Sequence, residues 1–272
     1  MNIRATELQT FEECPQSYFA MRKRKDSGEI VPQNKYAKIG TDIHSIIEQV
    51  IANNLYYETE TIKGLLDLVD CTLDQKFKTL SYIHRLDYLE NEEKVLEFTM
   101  EHAPLQGTTD VIVIRDGELE IIDHKTIRKP SSSTYWKRKI QPQVYSVLAY
   151  AHFSGMGMDI QKINFRLGHA FLNTIYDFSY TIEEIELNLS HIQELLKQME
   201  YYQHYEIDKR TPNDNCRYCL LQDSCSLFNY KSSDALMNTI RFAGTGNTSK
   251  ISMYEEGIEK MKEEIERLKA KA

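Results

Sequence analysis

The 272-residue sequence lacks several features that would mark a membrane, secreted or nucleic-acid-coating protein. No apolar run approaches the roughly 20 residues that span a bilayer. The first 15 residues, MNIRATELQTFEECP, show neither an apolar signal core nor an Arg- and Ser-rich presequence, so we expect no targeting segment. The 33 basic side chains are fewer than the 41 acidic ones, and the net charge of −8 excludes a nucleic-acid-coating protein but allows a local basic channel.

Cysteine is also scarce, and its odd number restricts its use. Five cysteines in a chain of this size favour free thiols or metal ligands over a disulfide framework. Together with the missing membrane and targeting segments, this predicts a soluble protein with a cytoplasmic location.

The stretch from Gly107 to Lys125 predicts a β-hairpin around which the other elements are organised. Two apolar, β-branched runs at 111–114 and 119–122 flank Asp116-Gly117. An Asp-Gly pair between such runs is a strong signal for a two-residue turn, because both turn residues take positive φ.

That turn also predicts which residues face each other. Counting outward from it puts Asp110 opposite Asp123, where side chains about 5 Å apart would repel. Lys125 shares a face with Asp123, because strand side chains alternate. Solvated strand ends are one explanation of the two carboxylates. The combination of Asp110, Asp123 and Lys125 instead favours a binding site for a hard divalent ion such as Mg²⁺ or Mn²⁺, which takes oxygen ligands.

Helical and strand periodicities around this hairpin predict an α/β (α+β) fold. In the second helix, His44 and Glu48 share one face. Predicted helices begin near residue 6, with a break at Cys14-Pro15, and cover 35–53, 61–82, 140–153 and 182–205; further strands lie near 96–100, 162–170 and 174–180. The 61–82 helix is expected to pack through its apolar residues Leu65, Leu66, Leu68, Val69, Leu73 and Phe77.

The segment after Lys125 is a predicted loop, 126–134, in basic and aromatic surroundings. These residues are Arg128, Lys129, Tyr135, Trp136, Lys137, Arg138 and Lys139. Cations that neutralise phosphates, interleaved with rings that stack on bases, suit single-stranded nucleic acid. A mobile surface loop is the alternative; the position directly after the acidic cluster favours nucleic acid.

Four of the cysteines predict a metal centre. Cys216-x-x-Cys219 lies in a loop marked by turn residues, and Cys225 follows six residues later. Cys14 is the expected fourth ligand, which would join the two ends of the chain. Four thiolates suit structural Zn²⁺ or an iron–sulfur cluster equally. Cys71 is expected to be a core thiol.

Six motifs in order give the sequence a resemblance to a known family. They are Thr-Glu-Leu-x-x-Phe-x-x-Cys14-Pro15, Gly40-x-x-x-His44, Gly107-x-x-Asp110, Asp123-His124-Lys125, Gln141-x-x-x-Tyr145, and the set Cys216, Cys219 and Cys225. Over about residues 6–225 the chain resembles the PD-(D/E)xK nucleases of the RecB-like branch. Within that branch it is similar to the iron–sulfur group, which includes the AddB nuclease domain and CRISPR-associated spacer-processing nucleases.

The resemblance implies a restriction-endonuclease-like core, with a central mixed sheet flanked by helices. It also implies that a [4Fe–4S] cluster on the four cysteines joins the N- and C-terminal segments. A Mg²⁺ or Mn²⁺ ion would be held by His44, Asp110, Asp123 and the backbone carbonyl of His124. Lys125 would orient the attacking water and steady the phosphate charge. Gln141 and Tyr145 would position DNA. His124 is an unusual residue between the acid and the lysine.

The C-terminal residues depart from the family pattern. The nuclease domain is predicted to cover 1–230, followed by a Ser-, Gly- and Asn-rich linker at 231–250. An amphipathic helix at 251–272 carries apolar residues at a and d positions over too few heptads for a sustained coiled coil. It is expected to dock on the body or on a partner.

The resulting functional hypothesis is a metal-dependent DNA exonuclease or end-processing nuclease, acting on single strands or DNA ends. Recombination, repair or CRISPR adaptation would provide its setting, with a helicase, integrase or recombination partner bound through the C-terminal helix. The alternative is a catalytically silent DNA-binding scaffold that keeps the cysteine centre for stability.

Overall fold

The computed structural model describes residues 2–29, 35–115, 118–127 and 129–213, together with Cys216, Cys219, Leu221 and Cys225. They fall into two compact units, one of Met1–Gln9 and Val31–Glu200, the other of Thr10–Ile30 and Tyr201–Ala272. None of the helices in these ranges is long and apolar enough to cross a membrane. The predicted linker and C-terminal helix, 231–272, lie outside the described residues.

A six-stranded mixed sheet forms the centre of the first unit. Its strands are β1 (Ile3–Arg4), β2 (Lys94–His102), β3 (Leu105–Arg115), β4 (Glu118–Lys125), β5 (Lys162–His169) and β6 (Thr174–Thr181). The order is β1-β3-β4-β5-β6, and β2 also pairs with β3. The β1–β3 and β4–β5 pairs are parallel and the others antiparallel. The predicted α/β class with a mixed central sheet is confirmed.

The predicted hairpin register is present in the β3–β4 ladder. Arg115 pairs with Glu118 and Val111 with Ile122; the turn residues 116 and 117 lie outside the described residues. β4 lies between β3 and β5, and its residues from Leu119 to His124 are all buried. This explains its nearly continuous apolar run, because a strand covered on both faces need not alternate.

Helices surround this sheet and continue into the second unit. Their bounds are α1 (Ala5–Glu13), α2 (Pro15–Asp26), α3 (Lys35–Ala52), α4 (Thr59–Asp67), α5 (Leu73–His84), α6 (Ser133–Lys137), α7 (Ile140–Gly155) and α8 (Ile182–His204). One buried cluster joins α3, α4 and α5 to β3 and β4, through side chains such as Ile47, Leu66, Tyr82 and Val111. α7 packs against β2, β3 and β5.

The single helix predicted over 61–82 is wrong, since the chain forms α4 and α5 with a break between them. Thr72 starts α5 with a capping box, in which its hydroxyl accepts from the Gln75 N–H and the Gln75 side chain accepts from the Thr72 N–H. The break turns Leu68, Leu73 and Phe77 outward, where they are 84%, 67% and 58% exposed. These residues were expected to pack.

The second unit brings segments from the two ends of the chain together. Phe11 lies 5.8 Å from the ring centres of both Tyr18 and Tyr202. The Asn213 side-chain amide donates to the Glu13 carbonyl over 3.0 Å. The predicted helix break is confirmed, because α1 ends before Cys14 and Pro15 is the first residue of α2. Pro at that position is favoured, because its missing N–H would have no helical partner.

Candidate active site

The acidic residues of the hairpin lie where the β3–β4 ladder ends. The ladder stops at Val111 and Ile122, one step before the expected pairing of Asp110 with Asp123. Asp110 Oδ2 instead accepts a hydrogen bond of 2.6 Å from the His124 backbone N–H. This bond holds the Asp110 side chain of β3 against the backbone of β4, although Asp110 and Asp123 do not form a backbone pair.

Lys125 connects Asp123 to helix α7. Its Nζ lies 2.6 Å from Asp123 Oδ2 and donates to Gln141 Oε1 over 3.1 Å. Gln141 Nε2 then donates to the Tyr145 hydroxyl over 2.9 Å. A Cβ on Gly107 would lie 2.8 Å from the Tyr145 ring, so a residue without a side chain is needed there. The four predicted residues Asp123, Lys125, Gln141 and Tyr145 therefore form one connected chain.

His44 approaches the same cluster from α3. Its Nδ1 lies 3.6 Å from Asp110 Oδ2. Burial opposes protonation of His44, but the adjacent carboxylate of Asp110 and the charge of Asp123 raise its pKa above the ordinary value. The imidazole thus supplies either a cationic partner for Asp110 or, when neutral, a nitrogen donor for a metal.

The two carboxyl groups differ in their electrostatics. Burial works against ionisation of Asp110, yet His44, His124 and Lys125 hold its pKa well below the usual range. Burial raises the pKa of Asp123, and the charge of Asp110 adds to this while Lys125 opposes it. Two neighbouring carboxyl groups respond in this way, because the charge of one disfavours ionisation of the other.

The donor set fits a hard divalent ion. Asp110 and Asp123 offer carboxylate oxygens and His44 offers an imidazole nitrogen. Asp123 Oδ2 is buried, and the ammonium of Lys125 at 2.6 Å is the contact that the structure gives this oxygen. Within the described part of the chain, no three His, Cys, Asp or Glu side chains are already gathered as a metal site. Ion binding would therefore require adjustment of these side chains.

Several residues around the site were not predicted from the sequence. The Tyr82 hydroxyl and His124 Nδ1 are 2.6 Å apart and buried. Burial lowers the pKa of His124 to about 4, so its imidazole is neutral near pH 7. Gly168 is the β5 partner of His124, and its missing side chain leaves room for the Tyr82 ring. Gly168 and Tyr82 carry no local motif, because their contacts depend on the fold.

Glu97 and His169 were also missed. The β2–β3 ladder runs through Leu96–Val111 and Phe98–Thr109, which places Glu97 opposite Asp110, with a φ of 46°. Only the pairing register of β2 shows this. His169 is fully buried and is the β5 partner of Lys125.

The aromatic prediction after β4 is partly wrong. Trp136 was expected to stack on bases, but it is 7% exposed, and its ring lies 5.3 Å from that of His169. Tyr135 is 49% exposed, with Lys139 Nζ 5.1 Å from its ring centre. Lys137 is paired with Glu184 over 2.6 Å. Arg128 lies outside the described residues.

The four cysteines predicted to bind a metal centre all belong to the second unit. The Asn213 N–H donates to Cys216 Sγ over 3.2 Å, and the Leu221 N–H donates to Cys219 Sγ over 3.4 Å. Burial raises the pKa of Cys216, and the neighbouring thiols Cys14, Cys219 and Cys225 add to this. A thiol influenced by three others, with N–H···S bonds to two of the four sulfurs, fits the donor chemistry of a zinc or iron–sulfur centre. As in the acidic site, the described side chains do not stand close enough together to hold an ion without adjustment.

Comparison with known proteins assigns the family. A sequence model of the PD-(D/E)XK nuclease superfamily matches residues 3–226. The chain therefore belongs to the PD-(D/E)XK nuclease superfamily, which confirms that level of the predicted resemblance. The iron–sulfur branch stays a prediction.

Two solved structures are similar at low sequence identity. A "Putative exonuclease" from Eubacterium rectale is 14% identical, with 80% of this chain and 87% of that chain covered and a TM-score of 0.46. The structure of SSO0001 is 16% identical in sequence; the match covers 76% of this chain and 94% of that chain, with a TM-score of 0.34. No curated protein matches the chain.

Proposed function

We propose that this nuclease is a metal-dependent deoxyribonuclease that processes DNA ends, with exonuclease activity. The observation that carries the proposal is the chain of contacts from Asp123 through Lys125 to Gln141, with His44 and Asp110 beside it. It supports the proposal because two carboxyl groups lie beside an ammonium group, the arrangement that metal-assisted phosphodiester hydrolysis uses.

In this mechanism, Asp110, Asp123, His44 and the His124 carbonyl would hold Mg²⁺ or Mn²⁺. The bound ion supplies polarisation of the phosphoryl group and a lowered pKa for water. Lys125 orients the attacking water and stabilises the negative charge that develops on the phosphate. Gln141 fixes Lys125 through its 3.1 Å bond, and Tyr145 fixes Gln141 in turn.

The cysteine centre is proposed to hold a [4Fe–4S] cluster on Cys14, Cys216, Cys219 and Cys225, with structural Zn²⁺ as the alternative. Asn213 supports this proposal, because it bonds Cys216 Sγ and also reaches the carbonyl of Glu13, the residue before Cys14. A centre on these thiols would link segments about 200 residues apart, which stabilises by restricting the unfolded chain.

The function is tested by incubating anaerobically purified protein with labelled single- and double-stranded DNA and Mn²⁺ or Mg²⁺. We expect metal-dependent cleavage that Asp123→Asn abolishes. The exposed Asp159→Asn, with the same chemical change, should leave cleavage intact. Metal-dependent DNA binding without cleavage of any substrate would favour the silent scaffold. A helicase or integrase partner would be identified by co-purification.

A further inference from the structure

A cleft in the first unit lies on the α6–α7 segment that also supplies Gln141. It has a volume of about 450 Å³ and is open to solvent. Its walls come from α6, α7, β6 and α8, and its lining residues include Lys137, Arg138, Gln143, Phe178, Tyr180 and Asn188. Cations, amides and aromatic rings in one cleft match the phosphate and base of a nucleotide.

The charge of the cleft is concentrated on Arg138. Lys137 is neutralised by Glu184 at 2.6 Å, whereas the exposed Arg138 guanidinium has no ion-pair partner in the described part of the chain. The cleft is thus locally positive although the chain carries a net charge of −8. A free guanidinium suits a phosphate group, because it donates two parallel hydrogen bonds.

Two other residues of the cleft wall, Gln143 and Phe178, are held by neighbouring side chains. Gln143 is held at both ends of its amide, since Nε2 donates to the Arg138 carbonyl over 3.2 Å and Oε1 contacts His191 Nδ1 at 3.0 Å. Phe178 stacks on Phe165 with ring centres 5.3 Å apart and planes within 3°. A ring supported in this way offers a base a stacking surface that loses little freedom on binding.

The cleft and the active site share one segment of the chain. Trp136, two residues before Arg138, packs on His169, the strand partner of Lys125. Gln141, three residues after Arg138, bonds Lys125 directly. One short segment therefore carries both the cleft cation and a residue that fixes the catalytic lysine.

We propose that this cleft binds a nucleotide of the substrate strand away from the scissile phosphate. Arg138 contacts its phosphate and Phe178 its base. The proposal rests on the proposed deoxyribonuclease function and adds a specific strand-binding subsite to it.

The test measures binding of a fluorescent single-stranded 12-mer by full-length protein over a range of salt concentrations. All proteins carry Asp123→Asn so that the strand stays intact. We expect Arg138→Gln to weaken binding about tenfold and to reduce the slope of log Kd against log[salt] by about 0.7, the value for one phosphate contact in single strands. Arg138→Lys should keep the slope while losing part of the affinity.

Lys63→Gln is the matched control, because this exposed lysine on α4 pairs only locally, with Glu60, and gives the same change in charge. Equal affinity and salt slope for Arg138→Gln and Lys63→Gln would overturn the proposal. Cleavage by protein with Asp123 intact tests the parent function separately. If the protein with Asp123 intact cleaves DNA but Arg138→Gln binds the 12-mer no differently from Lys63→Gln, the proposed cleft subsite is rejected and the deoxyribonuclease function stands.

Discussion

Gly168→Ala tests how the structure supports the active-site strand. A Cβ at this position would overlap the Tyr82 hydroxyl oxygen and ring atom Cζ. The Tyr82 ring is fully buried and its hydroxyl is bonded to His124, so the ring cannot move aside without losing that bond. The substitution therefore combines overpacking with a broken buried hydrogen bond.

The expected cost is the sum of those two effects. Overpacking costs about 1–3 kcal/mol, and an unsatisfied buried polar group costs about 1–3 kcal/mol more. The free energy of unfolding should fall by about 2–6 kcal/mol, which at about 2–4 °C per kcal/mol lowers Tm by about 4–24 °C in a domain of this size. DNA cleavage should also fall, because His124 donates its N–H to Asp110.

Thermal unfolding followed by circular dichroism measures this change. Gly64→Ala is the control, since no atom lies within 4 Å of its new Cβ and it sits inside α4. Alanine there should raise stability by up to about 1 kcal/mol. A Gly168→Ala protein that melts within about 1 °C of the wild type would refute the close approach of Tyr82.

Three further predictions concern stability and the cysteine centre. Burial and the charge of Lys125 lower the pKa of His169 to about 4, below the roughly 6.5 of an unfolded chain, so the unfolded state binds its proton first as pH falls. The free energy of unfolding should therefore drop between pH 6.5 and 4, by about 2 kcal/mol at pH 5, and urea titrations should show a smaller drop for His169→Gln. Cys216→Ser should reduce bound iron or zinc in elemental analysis and destabilise the second unit; unchanged metal content would reject the centre. Leu66→Ala should cost about 2–4 kcal/mol in urea unfolding and Leu68→Ala under about 0.5 kcal/mol, because the first is buried and the second exposed; equal costs would contradict the break after α4.

The hairpin was predictable because its signals are local. The Asp116-Gly117 pair sets the register of two apolar runs, and that register brings Asp110 near Asp123. Alternation then places Lys125 beside Asp123. These inferences need only the chain between residues 107 and 125.

Other features depend on contacts between distant segments. Tyr82 meets His124 across 42 residues, and nothing in the surrounding sequence of either residue indicates it. Trp136 looked like a stacking residue by composition, but His169 provides a buried partner for it. The break between α4 and α5 did have a local signal, the Thr72-x-x-Gln75 capping box, which an apolar pattern continuing through Leu68 and Leu73 obscured.

The most direct test of the proposed chemistry is the cleavage rate of Lys125→Ala on end-labelled DNA under single-turnover conditions, with Mn²⁺ binding measured by calorimetry on the same protein. The account predicts that Mn²⁺ still binds while cleavage falls by at least about 100-fold, because Lys125 acts on water and phosphate rather than holding the ion. Cleavage at the wild-type rate would contradict the role of Lys125 and, with it, the proposed active site.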